Sequence, residues 1–239
     1  IGGSIALGVF QVQSGVESLF GLHNSGLWLA GVIFAVLCFS YIFPLTVDLS
    51  KGMATLSTTA MAIAGGLMIF VLLTGPTYYV MSGITESIGD YFARVVPQAF
   101  KTDTFFDDKA STWFQSWTLT FMVWWFAWAP FVGVFIARIS RGRTIREYIL
   151  GVILVPTFFS IFWFGVFGSI GFYGVLELEA SILEVVKTNI NATTFFVLRH
   201  LPLSTVTIVA TVLAAFLFVV TSVVSASFVL SMFSTGGDL

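Results

Sequence analysis

Between Trp117 and Arg146 the chain carries an unusual run of large rings and then four arginines: WTLTFMVWWFAWAPFVGVFIARISRGRTIR. Advancing about 100° per residue from Trp117, Phe121, Trp124, Trp125, Trp128 and Phe131 fall between about −40° and +80°, so five rings share one helical face with Trp117. Such a face has a definite chemistry. A quaternary ammonium has no N–H to donate, so it is held by ring quadrupoles and dispersion, about 0.5–1 kcal/mol per exposed ring and about 2 kcal/mol when dry. Three or four rings around one trimethylammonium hold it without a buried carboxylate, which suits a zwitterion. Pro130 and Gly133 are expected to interrupt the helix near its middle, Pro130 by removing a donor and Gly133 by letting a chain or ligand reach the backbone. A broken membrane helix with an aromatic face is where a transporter for an organic cation would place its site.

Tryptophans at this spacing also serve as packing or interface-belt residues. A belt sets one or two rings at each end of a span, whereas Trp124, Trp125 and Trp128 lie in the middle of theirs. A second set of atoms with possible ligand chemistry is Phe218, Thr221 and Ser222. Two hydroxyls and a main-chain carbonyl at helical spacing are the oxygens that sodium needs inside a membrane. Their alternative role is ordinary: Ser and Thr within a helix bond back to the preceding turn. No catalytic constellation is present. His23 and His200 lie at loop edges far apart in sequence, and no Cys/His cluster, paired in-membrane carboxylate or nucleophile–base arrangement can be assembled. The chain reads as no enzyme. It also reads as no nucleic-acid binder, because its formal net charge is −2 and its one basic cluster follows an apolar segment.

The elements that position these residues follow from composition. Hydrophobic residues make up 57% of the chain and charged residues 9%, against about 25% charged in soluble domains. Uncharged runs span residues 1–17, 23–48, 51–86, 109–138, 147–177 and 200–238. Every run apart from the first exceeds the roughly 20 residues needed to cross the hydrocarbon core, and none alternates as a barrel strand would. The expectation is an all-α, multi-pass protein of the plasma (inner) membrane, with about six transmembrane helices. The single Cys38 lies within a run, so no disulfide framework forms within the chain. The first span carries Gly2, Gly3, Ser4, Ala6 and Gly8, small residues that let backbones approach, and should pack inside the bundle. The second covers about residues 27–47, with Pro44 kinking or ending it, and the third about 58–80, with Gly75 and Pro76 distorting its end.

Residues 86–113 are amphipathic and mixed in charge. Tyr91, Phe92, Val95, Val96 and Phe100 form the apolar side of a helix lying in the interface. The fourth span is expected at about 117–137, the fifth at about 148–173 and the sixth at about 203–233, with a mixed loop between the last two. Arg138, Arg141, Arg143 and Arg146 place the turn after the fourth span on the cytoplasmic side. Alternation then puts Lys51 inside too, while the outer segments carry more acids than bases, five against three over 86–109 and three against two over 177–200. The tripeptide Asn191, Ala192, Thr193 fits a glycosylation acceptor, a motif frequent by chance. The chain opens on Ile1 inside an apolar segment and stops just after a helix, so it is expected to be an internal piece of a longer transporter.

The segment SWTLTFMVWW (residues 116–125), followed by Phe131, Val132, Gly133 and FIARISRGRTIR (135–146), resembles the signature of the betaine/carnitine/choline transporter family, and the similarity extends through nearly all of the chain. The resemblance implies a partial leucine-transporter-type inverted-repeat bundle. Residues 1–85 would hold the last three helices of the first repeat, 86–115 an interfacial linker helix, and 116–239 the first three helices of the second repeat. It implies that Trp124, Trp125 and Trp128, with Trp117 and Phe121 on the same face, line the path and site for trimethylammonium substrates. It places Phe131 beside one sodium site, and Phe218, Thr221 and Ser222 in half of a second. The chain departs from the family pattern in having Met122 where tryptophan is usual and Val224 where an acid is frequent. It has Gly2, Gly3 and Ser4 where the family's other sodium ligands come partly from threonines. The expected function is secondary active transport of a quaternary ammonium compound (glycine betaine, choline or carnitine type) by alternating access, contributing to osmoprotection. Sodium is the coupling ion and no organic cofactor is expected. The partners are the zwitterionic or cationic substrate, sodium and the lipid bilayer, with homo-oligomerisation left open. The alternatives are a sodium-independent exchanger or proton-coupled member of the same fold, and a non-transporting scaffold or sensor.

Overall fold

A computed structural model describes residues 2–22, 25–46, 49–102, 107–177 and 181–236, and for 43–46, 49–51 and 181 the backbone only. His23, Asp48, Asp103 and Glu179 lie outside the described residues. Everything regular among the described residues is helical. Four helical stretches are long and apolar enough to cross a membrane, namely Gly52–Thr74, Asp108–Ile139, Ile145–Glu177 and Ser204–Ser234, joined by the shorter apolar helix Gly26–Ile42. The chain divides into two compact units, Ile1–Ile84 with Ser160–Phe228, and Thr85–Phe159 with Val229–Leu239.

The first unit contains α1 (Gly2–Phe20), α2 (Gly26–Thr46) and α3 (Leu49–Thr74). Gly21 ends α1 because its φ of +64° is open to glycine, and it lets the Leu22 N–H return to the Glu17 carbonyl at 3.0 Å, a Schellman closure. Gln13 Nε2 then bridges the α1–α2 corner, donating to Glu17 Oε1 at 3.0 Å, Ser25 Oγ at 3.1 Å and the Gly26 carbonyl at 3.2 Å. α2 runs on through Pro44 to Thr46 rather than ending there. α3 stops at Thr74 because Pro76 has no N–H and disfavours helical φ/ψ at Gly75. Thr77 restarts the chain as α4 (Thr77–Ala99), its hydroxyl bonded to the Leu72 carbonyl at 2.7 Å. The amphipathic helix therefore begins nine residues earlier than the charge pattern indicates, and the third span ends at the Gly75–Pro76 break instead of near Val80.

Two apolar cores hold this unit. One gathers Val9, Val12, Leu29, Ile33, Leu37, Val220, Val223 and Val224, and the other Val71, Val80, Ile84, Val166, Ile170, Phe195, Leu198 and Ile208. The small-residue reading of α1 is only partly right. A Cβ on Gly8 would meet Val219 at 2.3 Å, whereas Gly2 and Gly3 face open space. The second close approach is at Gly15, where a Cβ would stand 2.3 Å from Val212 and 2.7 Å from the Phe195 ring. Gly8 and Gly15 are seven residues apart, as are Val219 and Val212 in reverse order, so α1 and α11 (Ser204–Ser234) run antiparallel along this seam.

The segment read from the sequence as a mixed loop is instead folded. It forms α9 (Ser181–Thr188), a 3₁₀ turn at Ile190–Ala192 and α10 (Thr193–Leu198), with Ile182, Phe195 and Leu198 fully buried. One face of α1 receives it. Gln11 Nε2 donates to the Asn191 carbonyl at 3.3 Å, Asn189 Nδ2 to Ser14 Oγ at 3.4 Å, and Arg199 Nε to Ser18 Oγ at 3.1 Å, with a further Arg199 bond to the Ser18 carbonyl.

The second unit holds the aromatic helix. Asp107 caps α5 (Asp108–Phe114) by accepting from the Ala110 N–H at 3.0 Å. A π-helical turn, Gln115–Leu119, then leads without a break into α6 (Thr120–Ile139), and the Thr120 hydroxyl reaches five residues back to the Gln115 carbonyl at 3.0 Å. After the turn, α7 (Ile145–Ile149) opens with a reciprocal capping box, Thr144 N–H to Glu147 Oε2 at 2.9 Å and Glu147 N–H to Thr144 Oγ at 3.2 Å. A second π turn, Leu150–Leu154, carries it into α8 (Val155–Glu177). Pro156 accounts for that irregularity: it has no N–H for the preceding turn, and widening the turn relieves the ring's clash.

Candidate functional site

α6 keeps regular α-helical register from Thr120 to Ile139, straight through Pro130. The expected interruption at Pro130 and Gly133 is therefore absent. Proline removes one hydrogen bond, here to the Phe126 carbonyl one turn back, but the flanking bonds hold the helix and the cost is a local bend. The irregularity sits more than ten residues earlier, in the π turn Gln115–Leu119 that contains Trp117. Gly133 has nothing within 4 Å of where a Cβ would be, so among the described residues no chain approaches the main chain there.

Regular register preserves the aromatic arc. Phe121, Trp124, Trp125, Trp128 and Phe131 occupy about 120° of α6, and Met122 falls outside that arc. Trp117, although in the π turn, stacks on Phe121 with ring centroids 6.4 Å apart and planes 16° from parallel. Trp128 and Phe131 meet edge to face at 5.5 Å. Trp124, Trp128 and Phe131 are half-buried, while Trp125 is 69% exposed and Phe121 56% exposed. No residue of α6 is fully buried. No carboxylate lies on the arc. Among the described residues, the acids of this unit lie elsewhere: Glu86 and Asp90 on α4, Asp107 and Asp108 at the start of α5, and Glu147 tied into its capping box.

The proposed ion ligands lie in the first unit, on α11. Thr221 Oγ donates to the Phe218 carbonyl at 3.0 Å and Ser225 Oγ to the Thr221 carbonyl at 2.9 Å. Thr221 and Phe218 are half-buried and Ser222 is exposed. A hydroxyl that donates back to its own helix keeps its oxygen lone pairs, so Thr221 and Ser222 present acceptors from one turn. Phe218, Thr221 and Ser222 share one turn of α11, and Phe131 belongs to the other unit. Val224 is fully buried against Val9, Val12 and Leu37. An acid at that position would be a buried charge with apolar neighbours, so the departure from the family pattern agrees with the packing.

Among the described residues, the first unit has cavities that contain no aromatic residue of α6. One, about 330 Å³, lies between the Gly75–Pro76 break, the end of α8 and α10. The other, about 390 Å³, is almost wholly apolar and is lined by α1, α2 and α11.

The model of the betaine/carnitine/choline family transporters matches residues 1–239, the whole chain. The chain belongs to this family. Among its relatives are a glycine betaine transporter (OpuD) of Bacillus subtilis strain 168, 37% identical over 99% of this chain and 45% of the relative, and an ectoine/hydroxyectoine transporter of Virgibacillus pantothenticus, 33% identical over 99% of this chain and 46% of the relative. An osmo-dependent choline transporter (BetT2) of Acinetobacter baylyi is 34% identical over 96% of this chain and 33% of the relative. The chain thus spans less than half the length of these relatives. Membership makes it part of a multi-pass membrane protein, in agreement with the apolar helices of the fold. The structural features that the sequence reading missed are the two π turns and the packed α9–α10 segment. Pro156 signalled the second π turn. α9 and α10 are only eight and six residues long, too short for their apolar pattern to signal them.

Proposed function

We propose that this family member is part of a secondary active transporter that moves a quaternary ammonium compound or related zwitterion by alternating access, coupled to sodium. The observation that carries the reading is the uninterrupted α6, which holds Phe121, Trp124, Trp125 and Trp128 in one arc with no carboxylate among them. Trp124, Trp125 and Trp128 would hold the cation, with Trp117 and Phe121 extending the wall. Each ring contributes about 2 kcal/mol once water is excluded, so three rings supply about 6 kcal/mol before the cost of immobilising the substrate is subtracted, and the rest of the site must offset that cost. The relatives' named substrates, glycine betaine, choline and ectoine, share a delocalised or shielded positive charge, which is the charge type such a wall selects. Thr221, Ser222 and the Phe218 carbonyl would bind sodium and link it to closure, with Phe131 beside a further ion position. The test is uptake of radiolabelled betaine by the full-length protein: Trp125→Leu abolishes it at unchanged expression, and normal uptake by that variant defeats the reading.

A sodium-independent exchanger is the second reading. Its ground is that the bond from Thr221 Oγ to the Phe218 carbonyl is the ordinary one for a threonine within a helix and needs no ion to explain it. Equal uptake in sodium and in potassium medium decides for the exchanger.

A further inference from the structure

The turn between α6 and α7 carries a group of cations that the transport reading leaves without a role. The Arg143 N–H returns to the Ser140 carbonyl at 3.1 Å, and Gly142 at the third position has φ +82°, the signature of a type II turn that needs glycine there. This fixes Arg141 at the corner and Arg143 at the exit, with Arg146 one helical step into α7. All three are exposed, and among the described residues their side chains make no hydrogen bond and no ion pair within 4 Å, although Arg143 is near enough to Glu147 to help hold its carboxyl below the usual range. The one nearby acid, Glu147, is engaged with Thr144. The flanks are apolar and open: Ile139 is 59% exposed and Ile145 80% exposed.

We propose that the α6–α7 turn is a docking surface for the headgroup of an anionic phospholipid, whose phosphate is shared by Arg141, Arg143 and Arg146 while its acyl chains cover Ile139 and Ile145. Charge complementarity selects an anion. The isoleucines on both sides select a lipid over a free phosphate or an acidic protein segment, neither of which would bury them. The turn also joins two helices apolar enough to cross a membrane, which puts the arginines at headgroup depth.

The test uses the full-length protein in detergent, titrated with phosphatidylglycerol or phosphatidylcholine, with bound lipids counted by native mass spectrometry. Phosphatidylglycerol should bind in preference to phosphatidylcholine and more weakly as salt rises. Neutralising an arginine should weaken binding about fivefold, so the combined R141Q, R143Q and R146Q variant should lose tenfold or more. The matching triple lysine variant keeps the charges and should retain most of the binding, separating charge from fold. Phosphatidylglycerol binding unchanged in the glutamine variant, or lost equally in the lysine variant, overturns the proposal. So does displacement of the lipid by millimolar inorganic phosphate alone, which would mark a free-anion site, or a triple-variant defect confined to binding of polyglutamate.

Discussion

In α11 the residues facing α1 are valines set against glycines, Val219 on Gly8 and Val212 on Gly15, with no room for a single added carbon. In α6 the residues of the aromatic arc are indoles and phenyls, and no residue of the helix is fully buried. Both helices are long and apolar enough to cross a membrane. They differ in what their side chains do with the surface. Small and β-branched residues bring backbones together and fix the distance between helices, since lipid tails give apolar side chains no reason of their own to associate. Large flat rings held in one arc keep a neighbour at a distance and present π-faces across the gap. The first pattern builds a scaffold, and the second is the one proposed above to face the substrate.

The same substitution placed at the α1–α11 seam and on α6 separates the two roles. Gly15→Leu pushes a side chain into Val212 and Phe195, both held by the surrounding core, and should cost about 3 kcal/mol, the upper end for overpacking. The full-length protein should melt well below the parent in a detergent thermostability assay. Gly133→Leu on α6 meets nothing within 4 Å and should change melting by less than about 1 kcal/mol. Equal losses at the two positions would show that α6 is packed as tightly as α11, and the contrast would vanish.

How far the sequence foretold this division depends on the scale of the signal. Membrane spans and the aromatic arc were legible because both are long-range periodic patterns in residue type, and α6 obeys the 3.6-residue period from Thr120 to Ile139. Pro130 misled because proline's missing N–H reads as a break, while a helix can carry one lost bond where its neighbours hold. The contribution of Gly15 was invisible: a lone glycine beside Glu17 and Gln13 shows no small-residue stripe, and its reason is Phe195, which arrives from 180 residues away. The α9–α10 segment was hidden for the same cause. Its burial rests on apolar contacts of Phe195 and Leu198 with distant parts of the chain, and its two helices are too short for their own pattern to announce them. The residues that would bind substrate and ion were chosen by chemistry and family likeness, and their meeting is a matter for uptake and binding measurements.

The scaffold helix also carries the proposed ion ligands, so a second experiment asks whether α11 does more than pack. Thr221→Val keeps the shape and removes the hydroxyl, and Ser222→Ala does the same at an exposed position. Losing one oxygen ligand costs about 1.4 kcal/mol, a tenfold rise in the sodium concentration giving half-maximal uptake. The melting temperature measured without sodium should stay near that of the parent, because the Thr221 bond stays within its own helix. An unchanged sodium dependence in the double variant would return α11 to a purely structural role.

The smallest effect is expected where α10 is fastened to α1. Arg199 reaches both the hydroxyl and the carbonyl of Ser18, yet its side chain is exposed, so solvent competes for each bond. Arg199→Gln shortens the side chain and should cost about 1 kcal/mol or less. Phe195 and Leu198 remain buried in the core of the first unit and continue to hold the segment by apolar contact. The prediction is therefore local: amide hydrogens of α10 exchange about fivefold faster in the variant, while those of α1 and α11 keep their rates, since opening of α10 does not require the Gly15–Val212 seam to part. If α1 and α11 accelerate together with α10, then the polar ties, and not the glycine–valine packing, hold the scaffold closed. That result would reverse the order of importance assigned to the two kinds of contact.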